Sequence, residues 1–299
     1  MHKRHSHFSR NGLILLALLT LGWGINWPIM KIVLADVPPL TFRGLCLLAG
    51  GAGVLAIARI VGQPLRIKPV HLAPLLWLTL FNIIGWNVFA VYGVALLPSG
   101  RAALLGYTMP LWSMLFSVWL LHDKLTARGL VGLGFGMAGV FVLMGDDLLT
   151  LSTTLAGVAC MLAAAFMWGL GMVLLKRFAL PLPTFALTGW MMLLGGVPVS
   201  LAALALEQDA WRTPGVAAML GLLYNTVVAF MFCYWAWNRI VLMVPVAVSS
   251  LSALITPMVG VLSGILMLGE TLGWQEVIAA ALILGAIRLV LHAPKVPPT

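Results

Sequence analysis

The sequence predicts an all-α membrane protein: ten transmembrane helices, built as two inverted five-helix repeats around a central cavity. Three observations carry that expectation: an apolar composition, a lopsided placement of positive charge, and a set of residues that recurs at a nearly constant offset. Hydrophobic residues make up 62% of the 299 and charged residues 8%, whereas soluble domains carry about 25% charged residues. Mean hydropathy is +1.07. A globule of this size cannot hide so much apolar surface from water, so its solvent must itself be apolar.

A helix needs about 20 apolar residues to cross the hydrocarbon core. Cutting the chain at charges, Pro and Gly leaves ten such runs, at 11–34, 38–60, 70–97, 99–121, 127–145, 153–175, 184–206, 213–238, 245–268 and 273–291. The connections are short, so little chain remains for a soluble domain. Residues 13–21 have the length of a signal-peptide core, but Trp23, Gly24 and Pro28 follow in place of a small-residue cleavage site. The first run therefore stays as a helix.

Lys and Arg number 17 against 8 Asp and Glu. In a soluble chain that surplus suggests nucleic acid; here the positives stand singly or in pairs between apolar runs, and no nucleic-acid partner is expected. With the N-terminus in the cytoplasm, thirteen of the 17 fall at cytoplasmic ends, from Lys3 and Arg4 through Arg59, Arg66 and Lys68 to Arg288 and Lys295. Lys31, Arg43, Arg101 and Arg212 fall on the other side, with seven of the 8 acids. That separation obeys the positive-inside rule and puts both termini in the cytoplasm. Cys46, Cys160 and Cys233 lie inside apolar runs without CxxC or Cys/His spacing, so neither a disulfide framework nor a metal or other cofactor is expected. His2, His5 and His7 read as an exposed tail.

Slid against itself, the chain shows a repeat. At an offset of 145, Trp23 meets Trp168, Gly24 meets Gly169, Lys31 meets Lys176, Pro38 meets Pro183, and Gly50-Gly51 meets Gly195-Gly196. At 147, Pro98 meets Pro245, Pro110 meets Pro257 and Asp123 meets Glu270; at 143, Phe81-Asn82 meets Tyr224-Asn225. The units are 11–150 and 152–292. Five helices is an odd number, so the second unit enters the membrane from the opposite side. Inverted repeats of this kind build alternating-access transporters with a midplane site between the halves.

The residues of this repeat carry a resemblance. Trp23-Gly24-Ile25-Asn26, Pro38-Pro39-Leu40-Thr41-Phe42-Arg43, Pro110 with Leu120 to Asp123, and above all Ser249-Ser250-Leu251 through Pro257 to Leu268-Gly269-Glu270-Thr271-Leu272 resemble the EamA family of the drug/metabolite transporter superfamily. The density of Trp is similar to that in the YddG branch. The resemblance implies a multi-pass carrier of the bacterial inner membrane, a monomer, that exports aromatic and other amino acids. Asp123 stands where the family's repeat usually has Glu.

Polar groups inside lipid face the protein or a water-filled cavity. Asn26, Asn82, Asn87, Tyr107, Asn225, Ser249, Ser250 and Ser252 lie within their runs, and helix–helix hydrogen bonding is the plainer role for any one of them. Together with the deeper aromatics Trp23, Trp86, Trp168 and Trp235 they form the expected substrate cavity. Indole faces attract ammonium groups and stack aromatic side chains. Pro28, Pro110 and Pro257 are the expected kinks or hinges, because each removes a helix hydrogen bond. Arg43 and Arg101 flank the outer ends of helices 2 and 4. There they either snorkel to the interface, the plainer reading, or attract a carboxylate at the outer mouth. No cationic cluster suited to a phosphate lies near the midplane.

No Asp or Glu lies in the middle of any run, which removes a midplane carboxylate as a proton relay. The expected function is export of small organic metabolites by alternating access, with aromatic and neutral amino acids first. Export of drugs or quaternary ammonium compounds is the second reading, and a lipid-handling membrane protein the third. The chain is not expected to be an enzyme, since no activated nucleophile, metal site or carboxylate pair stands within reach of a cavity.

Overall fold

A computed structural model of the chain describes residues 10–122, 127–144, 153–243 and 246–291. His2, His5, His7, Asp123, the Asp146-Asp147 pair and Pro245 lie outside the described residues, as do the side chains of Ser249, Ser250 and Ser252. Among the described residues the chain is helical, with no strand. The helical stretches are α1 (Arg10–Leu34), α2 (Pro39–Ile60), α3 (Pro69–Leu96), α4 (Ser99–Leu121) and α5 (Ala127–Met144). They continue as α6 (Thr153–Phe178), α7 (Thr184–Leu206), α8 (beginning as Val216–Ile240), α9 (Val246–Leu268) and α10 (Trp274–Leu291). Seven of them contain a segment long and apolar enough to cross a bilayer, while Gly129–Val142, Ile255–Leu268 and Trp274–Ala286 are shorter apolar helices. Their outer faces carry exposed Leu201, Val216, Leu266 and Trp119, which is the side-chain chemistry that a lipid solvent accepts.

Local sequence explains where helices begin and end. α2, α4 and α7 start directly after Pro38, Pro98 and Pro183, each with φ between −58° and −54° and ψ near 145°. A proline fixes that extended entry and needs no hydrogen bond for a missing N–H. α9 stops at Gly269, whose φ of +66° few other residues adopt cheaply. Its N–H reaches Ile265 O at 3.0 Å and the Glu270 N–H reaches Gly264 O at 3.4 Å, a Schellman-type ending.

Three helices are irregular. α3 passes from α-helix (Leu72–Leu78) to π-helix (Thr79–Gly85) and back (Trp86–Leu96). α8 does the same over Val216–Tyr224, Asn225–Phe232 and Cys233–Met243. The first π stretch contains the Phe81-Asn82 pair of the repeat, and the second begins at Asn225 of the matching Tyr224-Asn225 pair. Widening the ladder leaves backbone carbonyls in need of donors. Asn87 Nδ2 donates to Ile83 O at 2.9 Å, and Asn225 Nδ2 to Gly221 O at 3.0 Å.

In α4 the sequence predicts one helix bent at Pro110; the structure has two helices, Ser99–Gly106 and Met109–Leu121. Pro110 lies in the first turn of the second, where its missing N–H costs nothing. The intervening turn satisfies itself, with Thr108 Oγ1 donating to Leu105 O at 2.7 Å. Pro28 and Pro257 stay inside continuous helices, as does Pro198 of α7.

One end of the molecule is tied by polar contacts that join residues before 145 to residues after 155. Glu207, just past α7, accepts the Leu40 N–H at 2.9 Å, the Thr41 N–H at 2.7 Å and the Thr41 hydroxyl at 2.9 Å. Glu270, just past α9, accepts the Ser99 N–H at 2.6 Å, the Ser99 hydroxyl at 3.0 Å and the Gly100 N–H at 3.0 Å. Each carboxylate thus serves the unpaired amides and positive dipole end of a helix N-terminus. Arg101 pairs with Glu276 at 2.7 Å, and Asp36 accepts the Gly215 N–H at 2.9 Å with Arg212 alongside at 3.9 Å.

Candidate substrate cavity

α1, α2, α3, α4, α6 and α8 converge on a partly open cavity. α1 contributes Trp23, Asn26, Trp27 and Met30, a stripe at the 3.6-residue period. α3 adds Trp86, Asn87 and Ala90 just beyond its π stretch, and α8 adds Phe230 within its π stretch and Tyr234 just beyond it. Tyr107 and Met109 flank the break in α4, and Trp168 enters from α6.

Aromatic residues form half of the lining. Trp168 lies 5.1 Å from Trp86, 6.0 Å from Trp23 and 5.7 Å from Tyr234, centroid to centroid. Trp23 meets Tyr234 edge-on at 5.7 Å, the arrangement that opposite ring quadrupoles prefer. Polar partners fix several rings. Trp23 Nε1 donates to Ala229 O at 3.2 Å, and Asn87 Nδ2 donates to the Tyr234 hydroxyl at 3.1 Å. The Tyr107 hydroxyl pairs with Thr256 of α9. Among the described residues, three buried polar atoms of the lining have no partner: Trp168 Nε1, Asn26 Oδ1 and Arg43 Nε.

Of the residues expected at the cavity, Trp23, Asn26, Trp86, Tyr107 and Trp168 come together there. Asn82, Trp235 and Asn225 do not. Asn82 packs against Gly171 of α6. Trp235 stacks on Phe185 of α7 at 5.1 Å with Arg239 above its ring at 5.9 Å. Asn225 turns to its own backbone. Ser249 and Ser252 lie outside the described side chains. Pro28, Pro110 and Pro257 are absent from the lining, although the break before Pro110 places Tyr107 and Met109 in it.

Arg43 corrects the sequence reading. In place of snorkelling to the interface it is 3% exposed and lines the cavity. It sits one turn into α2, and its guanidinium carbon lies 4.7 Å from the Phe42 ring centroid and 5.5 Å from that of Phe230. Nη2 faces Met30 Sδ at 2.8 Å, and Nε has no acceptor. Cation–π contacts return about 0.5–2 kcal/mol, less than the several kcal/mol that desolvating an ion costs. Trp27, Met30, Phe230 and Tyr234 are further lining residues that polarity and tryptophan content alone miss; the helical stripe through Trp23 marks the first two. Among the described residues, no group of three His, Cys, Asp or Glu is placed to hold a metal.

Comparison with known proteins gives one family. The model of the EamA-like transporter family matches residues 10–145 and again 155–292. The uncharacterised transporter YoaV of Bacillus subtilis is 27% identical over 89% of this chain and 91% of its own. A probable amino-acid metabolite efflux pump of Salmonella typhimurium is 27% identical over 94% of this chain and 95% of its own. The uncharacterised inner membrane transporter YedA of Escherichia coli is 29% identical over 90% and 86%. A solved crystal structure shares the fold with a TM-score of 0.69 at 22% identity, covering 94% of this chain and 97% of that one. With an apolar helical fold and two matches that span nearly its whole length, this chain belongs to the EamA-like transporter family.

Proposed function

We propose that this chain exports small organic metabolites, aromatic and other neutral amino acids first, across a bacterial inner membrane by alternating access. The observation that carries the reading is the aromatic cavity, to which α1–α4 and α6 with α8 all contribute. In this reading ten crossings form two inverted repeats, 11–150 and 152–292, both termini are cytoplasmic, and the monomer is the working unit. The double family match and the recurrence of a π stretch in α3 and α8 support the repeat. Relatives named as amino-acid metabolite efflux pumps support the substrate class. Indole faces also suit quaternary ammonium drugs, the second reading.

Purified protein in liposomes is expected to carry labelled phenylalanine or tryptophan with saturation. Trp168→Phe keeps a ring but loses the indole face and its Nε1–H. It is expected to weaken apparent affinity for tryptophan by about tenfold, the scale of one aromatic contact. Absence of saturable flux for every amino acid refutes the substrate class. Unchanged affinity in Trp168→Phe removes Trp168 from the site.

A further inference from the structure

Among the described residues, Arg43 is a charge without an oxygen partner. Lys31 donates to the Leu97 and Val94 carbonyls, Arg101 pairs with Glu276, and Arg212 reaches the Ala35 carbonyl. Arg43, far more buried than Arg212, has a thioether, a weak acceptor, and two phenyl faces. It forms no ion pair among the described residues. None of the cavity's lining residues is Asp or Glu. The same wall holds another unspent donor, Trp168 Nε1, and the Tyr234 hydroxyl, which accepts from Asn87 and keeps its own proton to give.

A guanidinium held only to build the fold would be expected to spend its N–H groups on carbonyls or an acid. One left facing a cavity beside further donors is arranged for an acceptor that arrives from outside. The guanidinium fork matches a carboxylate in two parallel hydrogen bonds. The rings around it exclude water, so the pairing is stronger than at a surface. One cation balances one negative charge, which fits a monocarboxylate better than a phosphate dianion. A ligand bearing only an ammonium meets a like charge with no acid to offset it.

We infer that Arg43 is the counter-ion for a carboxylate on the transported molecule, so that the cavity takes aromatic or apolar carboxylates and rejects their decarboxylated, cationic counterparts. This assignment rests on the transport reading above and narrows it. It makes the carboxylate, rather than the ammonium, the group by which a substrate is held, and it predicts that a carboxylic acid lacking the amino group binds as well.

Three probes share one phenyl ring and separate the charges: phenylalanine, 3-phenylpropionate and phenethylamine. Thermal shift of the full-length protein in detergent and flux in liposomes are read for each. Phenylalanine and 3-phenylpropionate are expected to stabilise the protein and phenethylamine is not. Arg43→Met is expected to weaken both carboxylates by roughly 30-fold or more. Its ligand-free melting temperature is expected to hold or rise, because a buried uncompensated charge has gone; a purely structural arginine would lower it. Arg43→Lys keeps the charge and is expected to keep the order of preference with lower affinity. Equal binding of phenethylamine and phenylalanine by the unaltered protein overturns the inference and leaves transport of aromatics standing. So does an unchanged carboxylate preference in Arg43→Met. Binding and flux of none of the three overturns the transport reading for aromatics, and the inference with it. Should Arg43→Met not fold, the unaltered protein and Arg43→Lys still decide.

Discussion

Gly51→Val is expected to abolish the folded protein, read as loss of the monodisperse peak on size exclusion and of the melting transition. Gly51 is where α2 and α7 approach backbone to backbone. A Cβ placed there would stand 2.9 Å from the Leu193 backbone nitrogen and 3.0 Å from both Leu193 Cγ and Met192 Cβ. A side chain in the way can change rotamer; a backbone nitrogen moves only if α7 moves. Gly196 opposes Leu48 N in the same fashion and Gly189 opposes Gly51 O, at 3.1 and 3.2 Å. The seam therefore has no slack on either side. Close packing of small residues is what holds helices together in lipid, where burial of apolar surface supplies no drive. Overpacking costs about 1–3 kcal/mol for added methylenes, and Val brings three carbons against an immovable neighbour. Gly134→Ala is the control, since nothing lies within 4 Å of the Cβ it would add; inside a helix Ala is favoured over Gly, so its melting temperature should match or exceed that of the parent. A Gly51→Val protein that melts like the parent would show that α2 and α7 are not in contact here.

The second large effect concerns the carboxylates that tie one end. Glu270→Ala is expected to speed amide exchange at Ser99 and Gly100 while leaving Leu40 and Thr41 protected; Glu207→Ala should do the reverse. The first amides of a helix have no acceptor within it, so their protection comes from the carboxylate alone. Hydrogen bonds to a charged group contribute about 1.5–3 kcal/mol each. Losing about 3 kcal/mol from a local opening equilibrium accelerates exchange by roughly a hundredfold. Gly264 leaves the room this contact needs, since a Cβ there would lie 2.6 Å from Glu270 Oε2 and from Ser99 Oγ. With both acids replaced, the halves keep at this end the Arg101–Glu276 and Asp36 contacts, Trp211 Nε1 on the Thr41 hydroxyl and Arg212 on the Ala35 carbonyl. Hydrogen-exchange mass spectrometry resolves the two helix starts, and exchange unchanged in both variants would mean that other groups hold them.

Helix positions were legible because charge, Pro and Gly punctuate the chain. The runs at 38–60 and 184–206 differ from α2 and α7 by at most one residue, since Pro38 and Pro183 set the entry. Trp23, Trp86 and Trp168 are legible as cavity residues from their depth, Trp23 and Trp168 also from neighbouring glycines. Trp27 and Met30 need the helical stripe through Trp23 in addition to polarity, and that stripe does not reach Tyr234 on α8. Asn82 and Asn225 misled because they stand in π stretches, where the 3.6-residue period that assigns faces does not apply. Arg43 was misjudged for a different reason. One turn into a helix, a long side chain reaches either the interface or the interior, and what decides is the set of groups around it. Here those are Met30 from α1 and Phe230 from α8, which are distant in sequence.

The π stretches carry a further consequence, for which lengths of chain this protein tolerates. Each residue of an α-helix turns the chain by about 100°. A π turn takes nearly one residue more than an α turn to come full circle, so excising one residue from 79–85 lets α3 close into regular helix with Trp86 and Asn87 still on the cavity wall. The same holds for 225–232 and Tyr234. Excising one residue from the regular turns before either stretch would instead rotate everything beyond it by about 100° and carry those side chains off the wall, although no residue that lines it had been altered. The π stretches are therefore where these two helices can lose a residue, and the regular turns are where they cannot.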